Sequence, residues 1–428
     1  MGSNDLIILS LLLGCMAAYI PVAISLFFTA TCGFLLFADM PVLLLVQTLF
    51  KSLDNFALVV VLFFILCGNI MTAGSIVEKL IRVANVLVGW LPGGLGMAGV
   101  VACALFGAIS GSTVATVVAI GGFMIPALQE HGYDESYTVG LMATSPNLGV
   151  IIPPSIGMIL YSMISNVSLE ALFLTGFVPG ALIVLGICCY TGIIFRKSGR
   201  VERRLPPTFR EIREALQEGF WALMLPVIIF GGIFSGMFTA NEAAVVACVY
   251  AIIVELFIHR SMNLGELKQI TVSSAVTSAT LLIIVAGATC FGRYLTFENI
   301  PGRITEAVMM TVSSGWGFLI MMNLLLLVTG MFMDIISATL ILGPVLIPML
   351  PHFGVDPIHF GLILTVNLAI GYCTPPMGVS LFITGSIANR GLLFVSRAVM
   401  PFLLIQLAVL LLITFVPSLV MWLPALVH

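Results

Sequence analysis

The chain has 428 residues, 60% hydrophobic and only 8% charged, with a mean hydropathy of +1.20. An ordinary soluble domain is about 45–50% apolar and about 25% charged, so this composition excludes a water-soluble core of this size inside a charged shell. The net charge of −3 excludes a basic nucleic-acid surface, and nine scattered cysteines without a CxxC pair or a Cys/His cluster exclude ordinary zinc spacing.

The expected fold class is an all-α polytopic membrane protein embedded in the lipid bilayer. A spanning helix needs about 20 apolar residues. In chain order the apolar stretches fall at 6–37, 57–75, 96–128, 137–165, 169–195, 217–236, 239–258, 270–292, 315–350, 358–387 and 392–427. The first has no basic n-region, which argues against a cleaved signal peptide, and it is long enough for one crossing or two. Between the stretches lie short amphipathic pieces. Val42–Phe56 carries Lys51 and Asp54, Ser75–Leu87 carries Glu78, Lys79 and Arg82, and Pro301–Thr311 carries Arg303 and Glu306. These read as helices lying along the interface. The stretches 96–128 and 315–350 are too long for one simple span, and each holds glycine near its middle. They read as re-entrant hairpins. The segment 196–218 holds Arg196, Lys197, Arg200, Arg203, Arg204, Arg210 and Arg213, seven of the sixteen basic residues, which places it in the cytoplasm. The turn at His259, Arg260 and Lys268, of the same parity, is basic as well.

An internal repeat organises these pieces. With a shift of 222 positions, 121–154 matches 343–376 at nine of 34 residues: Gly121/Gly343, Ile125/Ile347, Pro126/Pro348, Leu128/Leu350, Gly132/Gly354, Asp134/Asp356, Gly149/Gly371, Pro153/Pro375 and Pro154/Pro376. Average composition predicts about two or three matches. The matches favour Gly, Pro and Asp, which shape backbone, over interchangeable Leu and Val. Four crossings separate the two Pro-Pro helices, at 169–195, 217–236, 239–258 and 270–292. After them the hairpin 315–350 returns to its own side. The two copies are therefore expected to run in opposite directions, the inverted-repeat plan of secondary transporters. The expected units are a first repeat at 1–195, a basic cytoplasmic connector at 196–216 and a second repeat at 217–428.

Each Pro-Pro pair removes two backbone donors, so carbonyls one turn earlier lose their helical partners. In hydrocarbon an unpaired carbonyl costs several kcal/mol. Unwound carbonyls and half-helix C-terminal ends suit a desolvated Na⁺. Two sodium sites are expected. One lies near Ser110, Thr113, Gly149, Ile152 and Pro154, and the other near Gly330, Gly371, Thr374 and Met377. Candidate substrate contacts are Ser112, Asn147, Ser155, Arg293, Asp334 and Asn367. Intramembrane polar and ionisable groups earn that status by their desolvation cost. Each has a plainer reading: helix bridging for Asn147, Ser155 and Asn367, a helix cap for Asp334, and a snorkelling anchor for Arg293. Glu242, opening a helix in Thr239-Ala240-Asn241-Glu242, fits a capping role. No phosphate-binding loop occurs, so drive is expected from a gradient or a partner.

The Gly231-Gly232-Ile233-Phe234-Ser235-Gly236-Met237-Phe238-Thr239-Ala240-Asn241-Glu242-Ala243-Ala244 run resembles the large membrane subunit of tripartite ATP-independent periplasmic (TRAP) transporters. So do the tip Ser110-Gly111-Ser112-Thr113-Val114-Ala115-Thr116, the Gly149–Pro154 break and Met333-Asp334. That family commonly has Thr where Asn241 stands, a mild departure that leaves Glu242 in place. The resemblance covers nearly the whole chain. It implies an elevator mechanism, in which a transport domain of two hairpins and two broken helices moves against a scaffold. It further implies Na⁺ coupling and an organic acid anion as substrate, of the C4-dicarboxylate or sialic acid type. The implied partners are a small four-helix membrane subunit and a periplasmic substrate-binding protein, at the bacterial inner membrane. It adds weight to Arg293 and Asp334, where the family pattern places charge. The competing readings are a stand-alone Na⁺/organic-anion symporter of the same broad fold and a membrane-embedded enzyme. The enzyme would need convergent catalytic groups, and none stands out.

Overall fold

The computed structural model describes residues 3–18, 20–38, 41–198, 205–312 and 314–427, and among them every regular element is a helix. Arg200, Arg203 and Arg204 of the basic connector lie outside the described residues. Eight helices are long and apolar enough to cross a membrane, and counting three bent pairs as single spans raises that number to 11.

The chain opens with Ser3–Ala17 and Val22–Leu36, two helices divided at Pro21, so the first apolar stretch is two helices. Val42–Leu53 and Ala57–Ala73 follow, then the amphipathic Ile76–Val88. The first hairpin descends as Gly94–Ser110, turns through Gly111 and Ser112, and returns over Thr113–Glu130. Gly111 has φ +59°, a left-handed conformation that costs glycine little and other residues more. The Ser112 hydroxyl then caps the return arm by accepting from the Ala115 N–H at 3.3 Å. The first broken helix runs Glu135–Thr144, passes a 3₁₀ turn at Ser145–Asn147 and a last turn at Leu148–Ile151, breaks at Ile152–Ser155, and resumes as Ile156–Ser165. Leu169–Ser198 closes this half.

Three long helices open the second half: Phe209–Phe234, Ala240–Ile258 and Leu264–Phe297. Each starts with a reciprocal capping box, Thr208/Glu211, Thr239/Glu242 and Asn263/Glu266, which satisfies otherwise orphaned N–H groups. Glu242 is therefore a cap, as its sequence context indicates. The third of these helices extends past the expected 292 and takes in Arg293. After the amphipathic Ile300–Thr311 comes the second hairpin, Gly315–Phe332 and Ile335–Leu346, turning at Met333 and Asp334. The second broken helix is Pro357–Gly371 followed by Val379–Ala388. Leu392–Ala398, Met400–Phe415 and Ser418–Val427 end the chain.

Matched sequence positions carry matched geometry. Pro153–Pro154 and Pro375–Pro376 are both cis peptides, and Gly132 and Gly354 both have positive φ. Asp134 and Asp356 both cap the start of a broken helix, accepting at 3.1 Å from Tyr137 N–H and at 2.8 Å from Ile358 N–H. Ser112 and Asp334 both cap a return arm. In each half a hairpin glycine meets the broken-helix glycine backbone to backbone. A Cβ on Gly107 would stand 2.6 Å from the Gly149 Cα, and one on Gly371 would stand 2.6 Å from the Gly330 Cα. Helix contacts also cross between halves. Val22–Leu36 packs on Leu264–Phe297, while Ala240–Ile253 packs on Ala57–Ala73.

Glycine contacts differ widely, which gives a test of packing. Gly371→Ala would force two backbones apart, an overpacking cost on the order of 1–3 kcal/mol. Gly231 has open space around its Cβ position, so Gly231→Ala meets no clash and gains helix propensity. Thermal unfolding of the purified variants should show a fall of several degrees for Gly371→Ala and none for Gly231→Ala. Equal midpoints would remove the close backbone contact from the account.

Candidate functional site

The site grows from the two breaks. At the first, Ile152 N–H donates to Leu148 C=O at 2.9 Å, the last helical bond before the prolines. The carbonyls of Gly149 and Val150 would normally receive the N–H groups of residues 153 and 154, and proline has none. The first hairpin tip lies against this gap. A Cβ on Gly149 would stand 2.6 Å from the Thr116 Oγ1 and 2.8 Å from the Ser112 carbonyl oxygen. A Cβ on Gly111 would stand 2.5 Å from the Pro154 carbonyl oxygen. Thr116 donates to the Ser112 C=O at 2.7 Å, and the Ser110 hydroxyl lies 3.3 Å from the Thr116 hydroxyl. Ser110, Ser112, Thr113, Gly149 and Pro154 thus gather around one break, with Ile152 in its extended centre.

The second break is built differently. Thr374 N–H donates to Gly371 C=O at 3.0 Å, and Ser380 N–H donates to Tyr372 C=O at 3.0 Å. These two carbonyls, unlike their counterparts, are satisfied within the backbone. The Tyr372 hydroxyl accepts from Ile335 N–H at 2.8 Å, which ties the second tip to this break. Asp334 caps beside it, accepting from Ser337 N–H at 2.9 Å. The Thr374 hydroxyl donates to Ile370 C=O at 2.8 Å and keeps its lone pairs, while Met377 is half exposed at the edge.

The two half-sites meet. A Cβ on Gly157, two residues past Ser155, would stand 2.6 Å from Ile335 Cγ2 of the second tip. Asn147 reaches the other break, donating from Nδ2 to Gln406 Oε1 at 3.0 Å and to Cys373 Sγ at 3.2 Å. Gln406 Nε2 in turn donates to Thr144 C=O at 2.9 Å. Gln406 and Cys373 were missed in the sequence reading. Gln406 carried a signal, because it is the one amide side chain in the apolar helix Met400–Phe415, and buried amides in such helices demand partners. Cys373 carried none, since it read as packing like the other cysteines.

Two predicted residues stand apart. Asn367 donates to Asn323 Oδ1, and Asn323 donates to Thr414 Oγ1 at 3.3 Å. Residue 323 is 10 residues before Met333, about 15 Å down the arm from the tip. Arg293 is exposed on Leu264–Phe297, and its neighbour Gly292 faces Pro344. Pro344 likewise stands 10 residues, about 15 Å, from Asp334.

A set of buried polar atoms has no partner within the protein. On the hairpins and broken helices, Thr113 Oγ1, Thr138 Oγ1, Ser145 Oγ, Asn147 Oδ1 and Ser155 Oγ belong to the first half, and Ser337 Oγ, Thr339 Oγ1, Asn367 Oδ1, Ser380 Oγ and Thr384 Oγ1 to the second. Outside these elements Thr29 Oγ1, Asn85 Oδ1 and Asn241 Oδ1 are in the same condition. A buried unsatisfied hydroxyl or amide oxygen costs about 1–3 kcal/mol, so these atoms are spare polar capacity that a bound polar species could use. Among the described residues no cluster of His, Cys, Asp or Glu could hold a transition metal, which leaves neutral oxygens as the donor set. Such a set fits a hard monovalent cation.

Comparison with known proteins shows the family. Residues 9–419 match the family described as tripartite ATP-independent periplasmic transporter, DctM component. The chain is 37% identical over 437 residues to the C4-dicarboxylate TRAP transporter large permease protein DctM of Rhodobacter capsulatus, covering 98% of this chain and 99% of that one. It is 38% identical over 403 residues to the isethionate TRAP transporter permease protein DctMQ of Oleidesulfovibrio alaskensis, covering 94% of this chain and 64% of that longer protein. The fold is similar to that of the Alcanivorax borkumensis YdaH transporter, with a TM-score of 0.65 at 15% identity and 90% coverage of each chain. The chain therefore belongs to the DctM family of TRAP transporter large permease components, multi-pass transport proteins of the bacterial inner membrane rather than enzymes.

Proposed function

We propose that this chain imports an organic acid anion, of the C4-dicarboxylate or sialic acid type, by a sodium-coupled elevator movement. One observation carries the reading: the ten unpartnered buried oxygens of the hairpins and broken helices. Two sodium ions would occupy this region, one beside each break. The first is held by the free carbonyls of Gly149 and Val150 together with Thr113. The second would add side-chain oxygen such as Thr374 to the remaining lone pairs of the Gly371 and Tyr372 carbonyls, each of which already accepts one backbone N–H. The anion would lie between the tips, near Ser112, Ser155 and Asp334, with its charge offset by the cations.

A two-fold relation of 1–195 and 217–428 is supported by the reciprocal packing of Val22–Leu36 on Leu264–Phe297 and Ala240–Ile253 on Ala57–Ala73, and the four crossings between the Pro-Pro helices would make it an inverted one. A two-fold relation between copies generates such exchanged pairs. The post-break halves exchange as well: Ile156–Ser165 packs on the second return arm, and Val379–Ala388 on the first. Met400–Phe415 is bonded through Gln406 to the first broken helix, and through the Ile413 carbonyl to His359 of the second at 2.8 Å. It would move with them as one transport body. A small four-helix membrane subunit and a periplasmic binding protein would complete the machine. The DctMQ name of the longer relative agrees with a permease joined to a further component.

Three measurements test the reading. Thr113→Val removes a buried hydroxyl that has no protein partner, so on packing grounds alone it should be neutral or stabilising. If that oxygen binds sodium, the half-saturating Na⁺ concentration for uptake should rise roughly tenfold, about 1.4 kcal/mol, without loss of thermal stability. Thr374→Val should weaken Na⁺ dependence in parallel, and unchanged Na⁺ titrations in both would sink the cation sites. Arg293→Ala should lower uptake several-fold at normal expression if its charge draws the anion to the carrier. Normal transport would return Arg293 to an interfacial anchor. In proteoliposomes, uptake should require the small subunit and the binding protein, and robust uptake by this chain alone would favour a stand-alone symporter.

A further inference from the structure

Glu255 is the one fully buried carboxylate among the described residues. It sits near the end of Ala240–Ile258, 180 residues in sequence from Ser75 and 179 from Ile76, and its surroundings are built to deliver it. The helix widens to a π turn at Val254–Ile258, and Arg260 takes φ +51°. Ser261 N–H returns to the Glu255 C=O at 3.1 Å, and the Ser261 hydroxyl donates to the Glu255 carboxylate. The carboxylate then reaches the junction between Ala57–Ala73 and Ile76–Val88. Ser75 N–H donates to Oε2 at 3.3 Å and Ile76 N–H to Oε1 at 3.2 Å, while the Ser75 hydroxyl lies 3.4 Å from Oε2. His259 Nδ1 stands 3.7 Å from the same oxygen.

Ser75, at the N-cap position, supplies no side-chain cap of its own. Glu255 therefore caps Ile76–Val88 from another helix, where a negative charge also meets the positive end of the helix dipole. Gly74 makes room, since a Cβ there would collide with the carboxylate. Ile76–Val88 links Ala57–Ala73 to the first hairpin and packs on both Gly94–Ser110 and Phe209–Phe234.

Among the described residues, no buried carboxylate stands at the matching junction of the other half. Shifted by 222, position 255 becomes Gly33, and a Cβ there would stand 2.7 Å from the Tyr294 ring. Tyr294 also meets Phe34 edge to face at 5.9 Å. Asn299, which opens Ile300–Thr311, makes no side-chain cap. In one junction a carboxylate fills the space over a glycine, and in the other a tyrosine does.

We propose that Glu255 is a positioning residue for transport. It fixes the origin of Ile76–Val88 on the helices that stay in place, so that the far end of this connector swings with the first hairpin. This role rests on the elevator reading above. The test has two independent readouts on the assembled transporter. In Glu255→Gln, whose amide group cannot accept at both positions, hydrogen exchange at Ser75 and Ile76 should accelerate at least tenfold. The maximal uptake rate should fall at least fivefold, with the half-saturating Na⁺ concentration within twofold of the parent. Gly74→Ala, which leaves the carboxylate but displaces it, should reproduce both effects, and it provides the reading should Glu255→Gln fail to accumulate. Unchanged exchange overturns the cap. Faster exchange with a parental uptake rate overturns the role in transport, and so does a rate loss that tracks a shifted Na⁺ dependence. If the parent itself shows no Na⁺-driven uptake, the sodium-coupled reading fails while the exchange result still reports the cap.

Discussion

The constraint behind this architecture is that main-chain polar groups inside hydrocarbon must find partners. Each unmet group costs several kcal/mol, so a helix can break at membrane depth only where protein or a bound polar species covers the break. Both Pro-Pro segments meet that condition through the same arrangement. A hairpin glycine approaches the broken-helix glycine so closely that neither position has space for a side chain. The tip is thereby pressed against the gap, and its capped return arm presents polar groups there. The hairpins, the small residues and the caps are consequences of the breaks.

The two halves solve the problem with different chemistry. At the first break the Gly149 and Val150 carbonyls lose their donors, and hydroxyls of Ser110, Thr113 and Thr116 gather beside them. At the second, backbone bonds from Thr374 and Ser380 close the equivalent carbonyls, and the tip carries Asp334 where the first carries Ser112. Asp334 puts a carboxylate at one tip where the other has the neutral Ser112, which makes the field between the tips asymmetric.

Much of this was legible in the sequence because it is local. Pro-Pro pairs, Asp before a helix, and Gly within a hydroxyl-rich tip each dictate backbone geometry within a few residues. The repeated positions 153–154 and 375–376 are both cis, and Asp134 and Asp356 both cap the start of a broken helix. What stayed hidden is long-range and lies in side-chain chemistry. Asn147 pairs with Gln406 across 259 positions, and Glu255 caps a helix 179 positions earlier. Neither partner shows in a periodicity. The amide of Asn367 illustrates the converse: its place on the broken helix suggested the site, yet it faces Asn323 well down the hairpin arm. Sequence spacing gave its depth along the helix approximately and its facing direction not at all.

The same inequality extends to the connectors that would carry movement. A rigid transport body is economical only if the links to the fixed helices are defined at their roots, because a loose root would spend motion on fraying rather than on displacement. Helix starts are the weak points, with their first N–H groups unpaired. Ile76–Val88 has its first amides held by a buried carboxylate from a different helix, so its root is bonded electrostatically and directionally. Ile300–Thr311 begins beside aromatic packing of Tyr294 on Gly33 and Phe34. The asymmetry of the two breaks and the asymmetry of the two connectors then have the same origin: each copy of the repeat kept its backbone and exchanged the side chains that decide what the backbone is fastened to.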